Sequence, residues 1–80
     1  MTDQPVATLD TTGLLCPLPV LKARKALKGM APGAVLTVIA TDPGAVKDFD
    51  AFCRTTGDAL LESRAEGSSF VFVIRKAGVP

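Results

Sequence analysis

The residue with the clearest capacity for chemistry is Cys16, which lies in the segment Gly-Leu-Leu-Cys-Pro-Leu-Pro at residues 13–19. Proline is favoured at the first position of a helix, because its missing N–H is one that the helix would leave unpaired there. We therefore expect a loop to become a helix at Pro17, directly after the cysteine. A thiolate in such a place is stabilised by the positive end of the helix dipole and by free backbone N–H groups, which lower the pKa of a cysteine from about 8.5.

Pro17 and Pro19 set a limit to this stabilisation, because they remove two of the four N–H groups that the first turn of a helix leaves free. We predict a thiol that is more acidic than usual but still nucleophilic, since a thiol whose pKa falls very low attacks poorly. Such a thiol suits a relay that takes up a group from one partner and releases it to another. The alternative interpretation is that Cys16 is a small apolar cap of the helix, since free cysteine is often buried.

Composition excludes two kinds of site that depend on histidine or on several cysteines. The chain has two cysteines and no histidine, so neither a zinc site with the usual four Cys and His ligands nor a Cys–His catalytic pair can be built. The cysteines do not form a Cys-x-x-Cys motif, and no glycine-rich phosphate-binding loop is present. We expect the protein to need no cofactor and no metal.

The second cysteine, Cys53, shares the inner face of a predicted helix with Val46 and Phe49, so we expect it to pack in the core. A disulfide between Cys16 and Cys53 stays open, although nothing in the sequence favours it. No leader typical of export precedes Cys16, and no apolar run approaches the roughly 20 residues that cross a bilayer. We therefore expect a cytoplasmic protein that does not bind membranes.

The helix that must position Cys16 is predicted from Pro17 to Gly29, where glycine suits the position just past the helix end. One face of this segment is apolar at a spacing of three to four residues, which is typical of a helix packed on a core. The members of that face are Val20, Ala23, Leu27 and Met30.

The remaining elements follow from turn residues and apolar runs. We predict a strand from Val6 to Leu9 before the cysteine, and Pro32-Gly33 forms a type II turn that leads into a strand from Val35 to Ala40. A second helix starts with Asp42 as its cap and Pro43 at its first position, and it ends at Gly57. The chain finishes with a hairpin of two strands, Ala59 to Ala65 and Phe70 to Lys76.

The resulting order βαβαββ predicts an α/β two-layer sandwich. Each helical crossover joins parallel strands, and with right-handed crossovers both helices cover the same face of one four-stranded mixed sheet. The run from Phe70 to Ile74 is apolar on both sides, which is typical of a central strand. Eighty residues are too few for two cores, so residues 1–80 form one domain.

Charge is distributed unevenly along a chain whose net charge is only +1. A balance this close to zero argues against a dedicated nucleic-acid binder. Between Thr11 and Thr41 there is no acidic residue, whereas four cations fall in the predicted first helix. These cations are Lys22, Arg24, Lys25 and Lys28. They form either a solvated helix face or a surface on which a partner docks.

Several sequence features together match a known family. They are Leu9-Asp10 with Gly13-Leu14, the motif Cys16-Pro17-Leu18-Pro19, the basic helix, Pro32-Gly33, Asp42-Pro43, Phe52-Cys53 and the terminal Ile74-Arg75-Lys76. With these features the chain resembles the TusA family of bacterial sulfur carriers, also called the SirA-like family, over nearly its full length. It differs from the best-known tRNA-thiolation members, which tend to carry arginine before the cysteine and glutamate between the prolines, where this chain has Leu15 and Leu18.

The resemblance implies a two-layer sandwich with strand order 1-2-4-3 and a sulfurtransferase-type carrier function. Cys16 would accept sulfane sulfur as a persulfide from a cysteine desulfurase or a rhodanese-like donor and pass it to a downstream acceptor protein. Gly13, Pro17 and Pro19 would support the motif, and the cations of the first helix would dock the partners. Similar proteins serve tRNA thiolation, molybdenum-cofactor assembly or sulfur oxidation.

Two other functions stay open on the residues alone. The cationic helix and the open sheet face also fit a regulatory or RNA-interacting module that uses no thiol chemistry. Cys16 also fits a redox-sensing thiol, although no resolving cysteine stands near it in sequence. For the carrier we expect a monomer.

Overall fold

The computed structural model describes residues 6–78, which form two helices and four strands. In chain order the elements are β1 (Val6–Thr11), α1 (Leu18–Lys28), β2 (Val35–Ala40), α2 (Ala45–Thr56), β3 (Ala59–Glu66) and β4 (Ser69–Arg75). The predicted order βαβαββ is therefore confirmed.

The four strands form one mixed sheet in the order β1-β2-β4-β3. β1 and β2 run parallel, and β4 lies antiparallel to both β2 and β3. The prediction that the last strand is central is confirmed, since β4 has a hydrogen-bonded neighbour on each side. Along the apolar run, Phe70, Phe72 and Ile74 lie on the face that packs against the core, and Val71, on the other face, is also buried.

The core lies between one face of the sheet and both helices. Leu36, Val38 and Ala40 alternate with half-buried residues along β2, and they join a buried cluster with side chains from α1 and α2. At the centre the rings of Phe49 on α2 and Phe72 on β4 stack with centroids 4.5 Å apart. Burying a large apolar side chain contributes about 1.5–3 kcal/mol, so this contact is a main reason why α2 stays on the sheet.

The strand before the cysteine is longer than predicted. β1 continues past Leu9 to Thr11, because its pairing with β2 continues as far as Thr11 opposite Ala40. The buried hydroxyl of Thr11 donates a hydrogen bond of 2.6 Å to the carbonyl of Ile39, so the polar side chain is satisfied at the strand end. The two parallel strands consequently end side by side, and the loops that follow them leave from the same edge of the sheet.

α1 matches its prediction closely, with small differences at its start. It begins at Leu18, with Pro17 as the capping residue rather than the first helical residue, and Gly29 follows its last residue as predicted. The buried face contains Pro19, Ala23 and Leu27, and the other two residues assigned to that face are only half-buried. These two are Val20 and Met30.

Two predictions for α2 are wrong. Asp42 does not cap this helix, which begins at Ala45 with Gly44 as the capping residue, and Pro43 lies outside it. Val46 is 40% exposed, because the face turned to the sheet repeats every four residues and contains Ala45 in its place. The predicted end is confirmed, since Gly57 has the left-handed φ of +85° that favours glycine after a helix.

Candidate functional site

The loop that carries Cys16 connects β1 to α1 and is tied to the loop after β2. Gly13 has a φ of +81°, which glycine adopts at little cost, and its N–H donates to the hydroxyl of Thr41 at 2.9 Å. Within the loop, the N–H of Leu14 donates to the carbonyl of Thr11 at 3.1 Å. These contacts hold the loop against the neighbouring connection, so the cysteine that follows is placed by the sheet edge.

The backbone of Cys16 is anchored by Asp42, the residue whose predicted role as a helix cap was wrong. The N–H of Cys16 donates to Oδ2 of Asp42 at 2.9 Å, across 26 residues of sequence. A hydrogen bond to a carboxylate is stronger than one between neutral groups. Asp42 therefore positions the cysteine from the loop after β2.

The thiol of Cys16 lies against the start of α2. Its Sγ donates a hydrogen bond to Oδ2 of Asp48, an acidic residue of the first turn of that helix. Gly44 allows this approach, because a Cβ there would come within 3.3 Å of the Cys16 Cβ and 3.1 Å of Oδ2 of Asp42. The sulfur is thus held between two helix starts, with the closer contacts coming from α2.

The electrostatic surroundings overturn the prediction of an acidic thiol. The hydrogen bond to Asp48 raises the pKa of Cys16 above its ordinary value, and loss of solvent contact and the charges of Asp48 and Asp42 act in the same direction. A carboxylate that accepts the S–H proton stabilises the thiol, and its negative charge disfavours the thiolate. The start of α1 therefore does not decide the pKa of Cys16, because two carboxylates that are distant in sequence, Asp42 and Asp48, lie near the sulfur.

Cys16 is nevertheless exposed, which removes the interpretation of this residue as a buried apolar cap. Two apolar neighbours share its surface, since Leu15 is 69% exposed and Leu18 is 44% exposed. These leucines do not pack beneath the loop. They form an apolar rim beside the thiol.

The other cysteine behaves as predicted. Cys53 is only 6% exposed and belongs to the core cluster. Burial raises the pKa of its thiol to about 11, and the charges of Asp58 and Asp50 contribute in the same direction. Both cysteines are free thiols, one exposed and one buried, so no disulfide joins them.

A groove of about 480 Å³ runs between the two helices and starts beside the thiol. Its wall on α1 begins with the capping Pro17, and its wall on α2 begins with Asp48. The lining residues are Pro17, Val20, Arg24, Asp48, Ala51, Phe52, Thr55 and Thr56. This groove was not predicted from the sequence, although Asp48, Ala51, Phe52 and Thr55 have the spacing of a single helix face.

The predicted docking cations are all exposed on α1, but they do not form a single site. Arg24 lines the inter-helix groove, whereas the three lysines lie outside its lining. Lys25 and Lys28 belong to the last turn of α1, where a positive charge also stabilises the helix dipole. Of the four cations, Arg24 is the one that the fold brings into the groove that starts at the thiol.

Within residues 6–78, no three Cys, Asp or Glu side chains are grouped so that they would hold a metal ion. Neither helix of the described part of the chain is long and apolar enough to span a bilayer.

The sequence is similar to those of known proteins. Residues 7–76 match the family described as Sulfurtransferase TusA. The chain is 59% identical over 69 residues to the Sulfur carrier protein TusA of Allochromatium vinosum, a match that covers 86% of this chain and 91% of the relative. It is 42% identical over 76 residues to the Sulfur carrier protein TusA of Pseudomonas aeruginosa, covering 95% and 96% of the two chains.

The fold has a solved counterpart. A crystal structure of a SirA-like protein from Desulfitobacterium hafniense superposes with a TM-score of 0.76 at 27% sequence identity, covering 90% of this chain and 99% of the other. The match to the family spans both helices and all four strands, and it includes the exposed Cys16 and its two hydrogen-bond partners, Asp42 and Asp48. The chain therefore belongs to the TusA family of sulfurtransferases.

Proposed function

We propose that this protein is a sulfur carrier that accepts sulfane sulfur as a persulfide on Cys16 and passes it to a downstream acceptor protein. The observation that carries the proposal is the exposure of the Cys16 thiol at the end of the inter-helix groove, on a backbone held by Asp42. Cys53 is buried and does not compete for the sulfur.

The transfer exchanges one sulfur and one proton. Sγ of Cys16 attacks the outer sulfur of a donor persulfide, the bond between the donor's two sulfurs breaks, and the donor leaves as a thiol after taking up the proton of Cys16. Cys16 then carries Sγ–SH. The acceptor's thiol attacks that outer sulfur in turn and restores Cys16, so neither step needs an external oxidant or reductant.

The surface around Cys16 supports docking of protein partners. The exposed Leu15 and Leu18 provide an apolar rim, and Arg24 adds a positive charge in the groove. Mixed apolar and cationic surfaces of this kind are typical of protein interfaces. The donor is a cysteine desulfurase or a rhodanese-like protein, and the site of the exchange is the cytoplasm.

Mass spectrometry of the intact protein tests the proposal. Incubation with a desulfurase and cysteine, or with a rhodanese and thiosulfate, is expected to add about 32 Da per sulfur as a persulfide that a reductant removes. Cys16→Ala is expected to take up nothing, whereas Cys53→Ala, the matched control, is expected to load like the unchanged protein. Absence of the adduct with every donor, or an adduct that survives in Cys16→Ala, would contradict the proposal.

A further inference from the structure

We propose that Asp48 is a positioning residue that holds the Cys16 thiol protonated against α2 in the free carrier, so that the thiol reacts slowly until a docking donor breaks this contact. The inference rests on the proposed carrier function and adds to it a regulation of the reactivity of Cys16. The unloaded protein would then be protected from reactions that a free thiolate invites.

The geometry fixes the thiol from three directions. Asp42 accepts the backbone N–H of Cys16 at 2.9 Å, and Asp48 accepts the S–H proton on the side facing α2. Gly44 lies close to the cysteine on a third side, because a Cβ there would be 3.6 Å from Sγ and 3.3 Å from the Cβ of Cys16. With the backbone anchored, the direction of Sγ depends on its contact with Asp48.

The charges around the thiol act in the same direction as this contact. Asp48 on α2 and Asp42 in the loop before it place negative charge near Sγ, and the pKa of Cys16 is raised as a result. From α1, Arg24 lines the same groove as Asp48 and is the cation that faces this region. It does not reverse the effect, because the contact of Asp48 with the sulfur is direct and that of Arg24 is not.

The contact has to break for sulfur to move. As long as Cys16 keeps its S–H proton and donates it in a hydrogen bond to Asp48, the lone pairs that attack a donor belong to a neutral thiol, which is a weak nucleophile compared with the thiolate. Asp48 lines the inter-helix groove, where a partner seated on α1 and α2 would touch it. Docking at that place separates Sγ from the carboxylate, and the proton leaves with the donor's sulfur as described above.

Alkylation kinetics of Asp48→Asn test the inference. The substitution keeps the shape of the side chain and removes its charge, so we expect Cys16 to react with iodoacetamide at pH 7 roughly 3- to 10-fold faster, with the pH profile displaced to lower pH. Asp50→Asn is the matched control, because it removes the same charge from the same helix at a residue that pairs with Arg54 rather than with Cys16. We expect the control to react like the unchanged protein.

A conservative variant separates charge from shape. Asp48→Glu restores a carboxylate, and we expect its alkylation rate to lie below that of Asp48→Asn.

Loading from glutathione persulfide, a small donor that cannot dock, is expected to speed up in Asp48→Asn, whereas loading from a desulfurase is expected to change less.

The inference is overturned if Asp48→Asn is alkylated no faster than Asp50→Asn, or if Asp48→Glu reacts as fast as Asp48→Asn. Neither result would affect the carrier function, which is read separately from the persulfide mass on Cys16. Conversely, a protein that takes up no sulfur would refute the function while the alkylation rates still report on the contact with Asp48.

Discussion

The two cysteines occupy opposite environments in one small fold, yet the pKa of each thiol is raised. Around Cys53 the cause is burial in the core between α2 and the sheet. Around the exposed Cys16 the first cause is a hydrogen bond to Asp48. Burial persists as long as the domain is folded, whereas a contact at the surface is broken by a partner. The comparison therefore separates a permanently inert thiol from one whose reactivity is conditional.

Each region also uses a carboxylate to hold a backbone N–H. Asp42 accepts from Cys16 at 2.9 Å, and Asp58 accepts from Ala77 at 2.8 Å. Near Cys53 this arrangement fixes the end of the sheet, and near Cys16 it fixes the loop that presents the thiol. The same kind of hydrogen bond thus stabilises the end of the sheet near Cys53 and keeps the thiol of Cys16 exposed.

The largest expected difference between the two cysteines is their rate of labelling. In the native protein we expect Cys53 to react with iodoacetamide at least about 1000-fold more slowly than Cys16, because it becomes accessible only when the core opens. Peptide-resolved mass spectrometry after timed labelling measures both rates in one sample. Labelling in urea is the control, because both thiols are accessible in the unfolded chain and are expected to react at equal rates. Equal rates in the folded protein as well would contradict the difference between the two cysteines.

The next effect is a loss of stability at alkaline pH that comes from Cys53. Its pKa rises from an ordinary value of 9.0 to about 11 on folding, so the unfolded chain releases the proton first. The stabilisation by the neutral thiol is complete below pH 9 and is lost as the pH rises through 11. Two pKa units correspond to a total decrease of about 3 kcal/mol in the free energy of unfolding, most of which is reached by pH 11.

Urea unfolding between pH 8 and 11 measures this decrease, with Cys53→Ala as the control. The alanine variant is expected to be less stable at pH 8 by about 1 kcal/mol, because the sulfur leaves a small cavity, and to show a flatter decline above pH 9. An equally steep decline in the variant would assign the alkaline effect to other groups.

Much of the fold could be predicted because its signals are local. The apolar run of β4 predicted an inner strand, and glycine after each helix, Gly29 and Gly57, predicted both helix ends. The start of α2 was mispredicted because Asp42 and Pro43 have the residue types of a helix start. The preference of these residue types for a helix start did not decide where α2 begins, because the carboxylate of Asp42 accepts the N–H of Cys16 instead.

The candidate site was harder to predict, because its contacts join distant segments. Cys16 itself was recognisable from its motif, but Asp48 lies 32 residues further along the chain. Part of this was accessible in principle, since parallel β1 and β2 bring the loops that follow them to the same edge. That topology places Asp42 near Cys16. The contact of Asp48 with Cys16 depends in addition on the rotation of α2 about its axis. This rotation was not predicted correctly, since Val46 was assigned to the inner face and is exposed.

The smallest expected effect distinguishes the two anchoring carboxylates. Asp42→Ala removes the acceptor for the N–H of Cys16, and we expect it to lower the free energy of unfolding by about 0.5–1 kcal/mol, since the freed N–H can turn to water. Asp58→Ala leaves the N–H of Ala77 in a partly buried place and is expected to cost more, about 1–2 kcal/mol. Urea unfolding of the two variants at pH 7 gives both numbers. A larger loss of stability in Asp42→Ala than in Asp58→Ala would contradict this expectation. It would mean that the loop carrying Cys16 contributes more to the stability of the fold than the sheet end near Cys53.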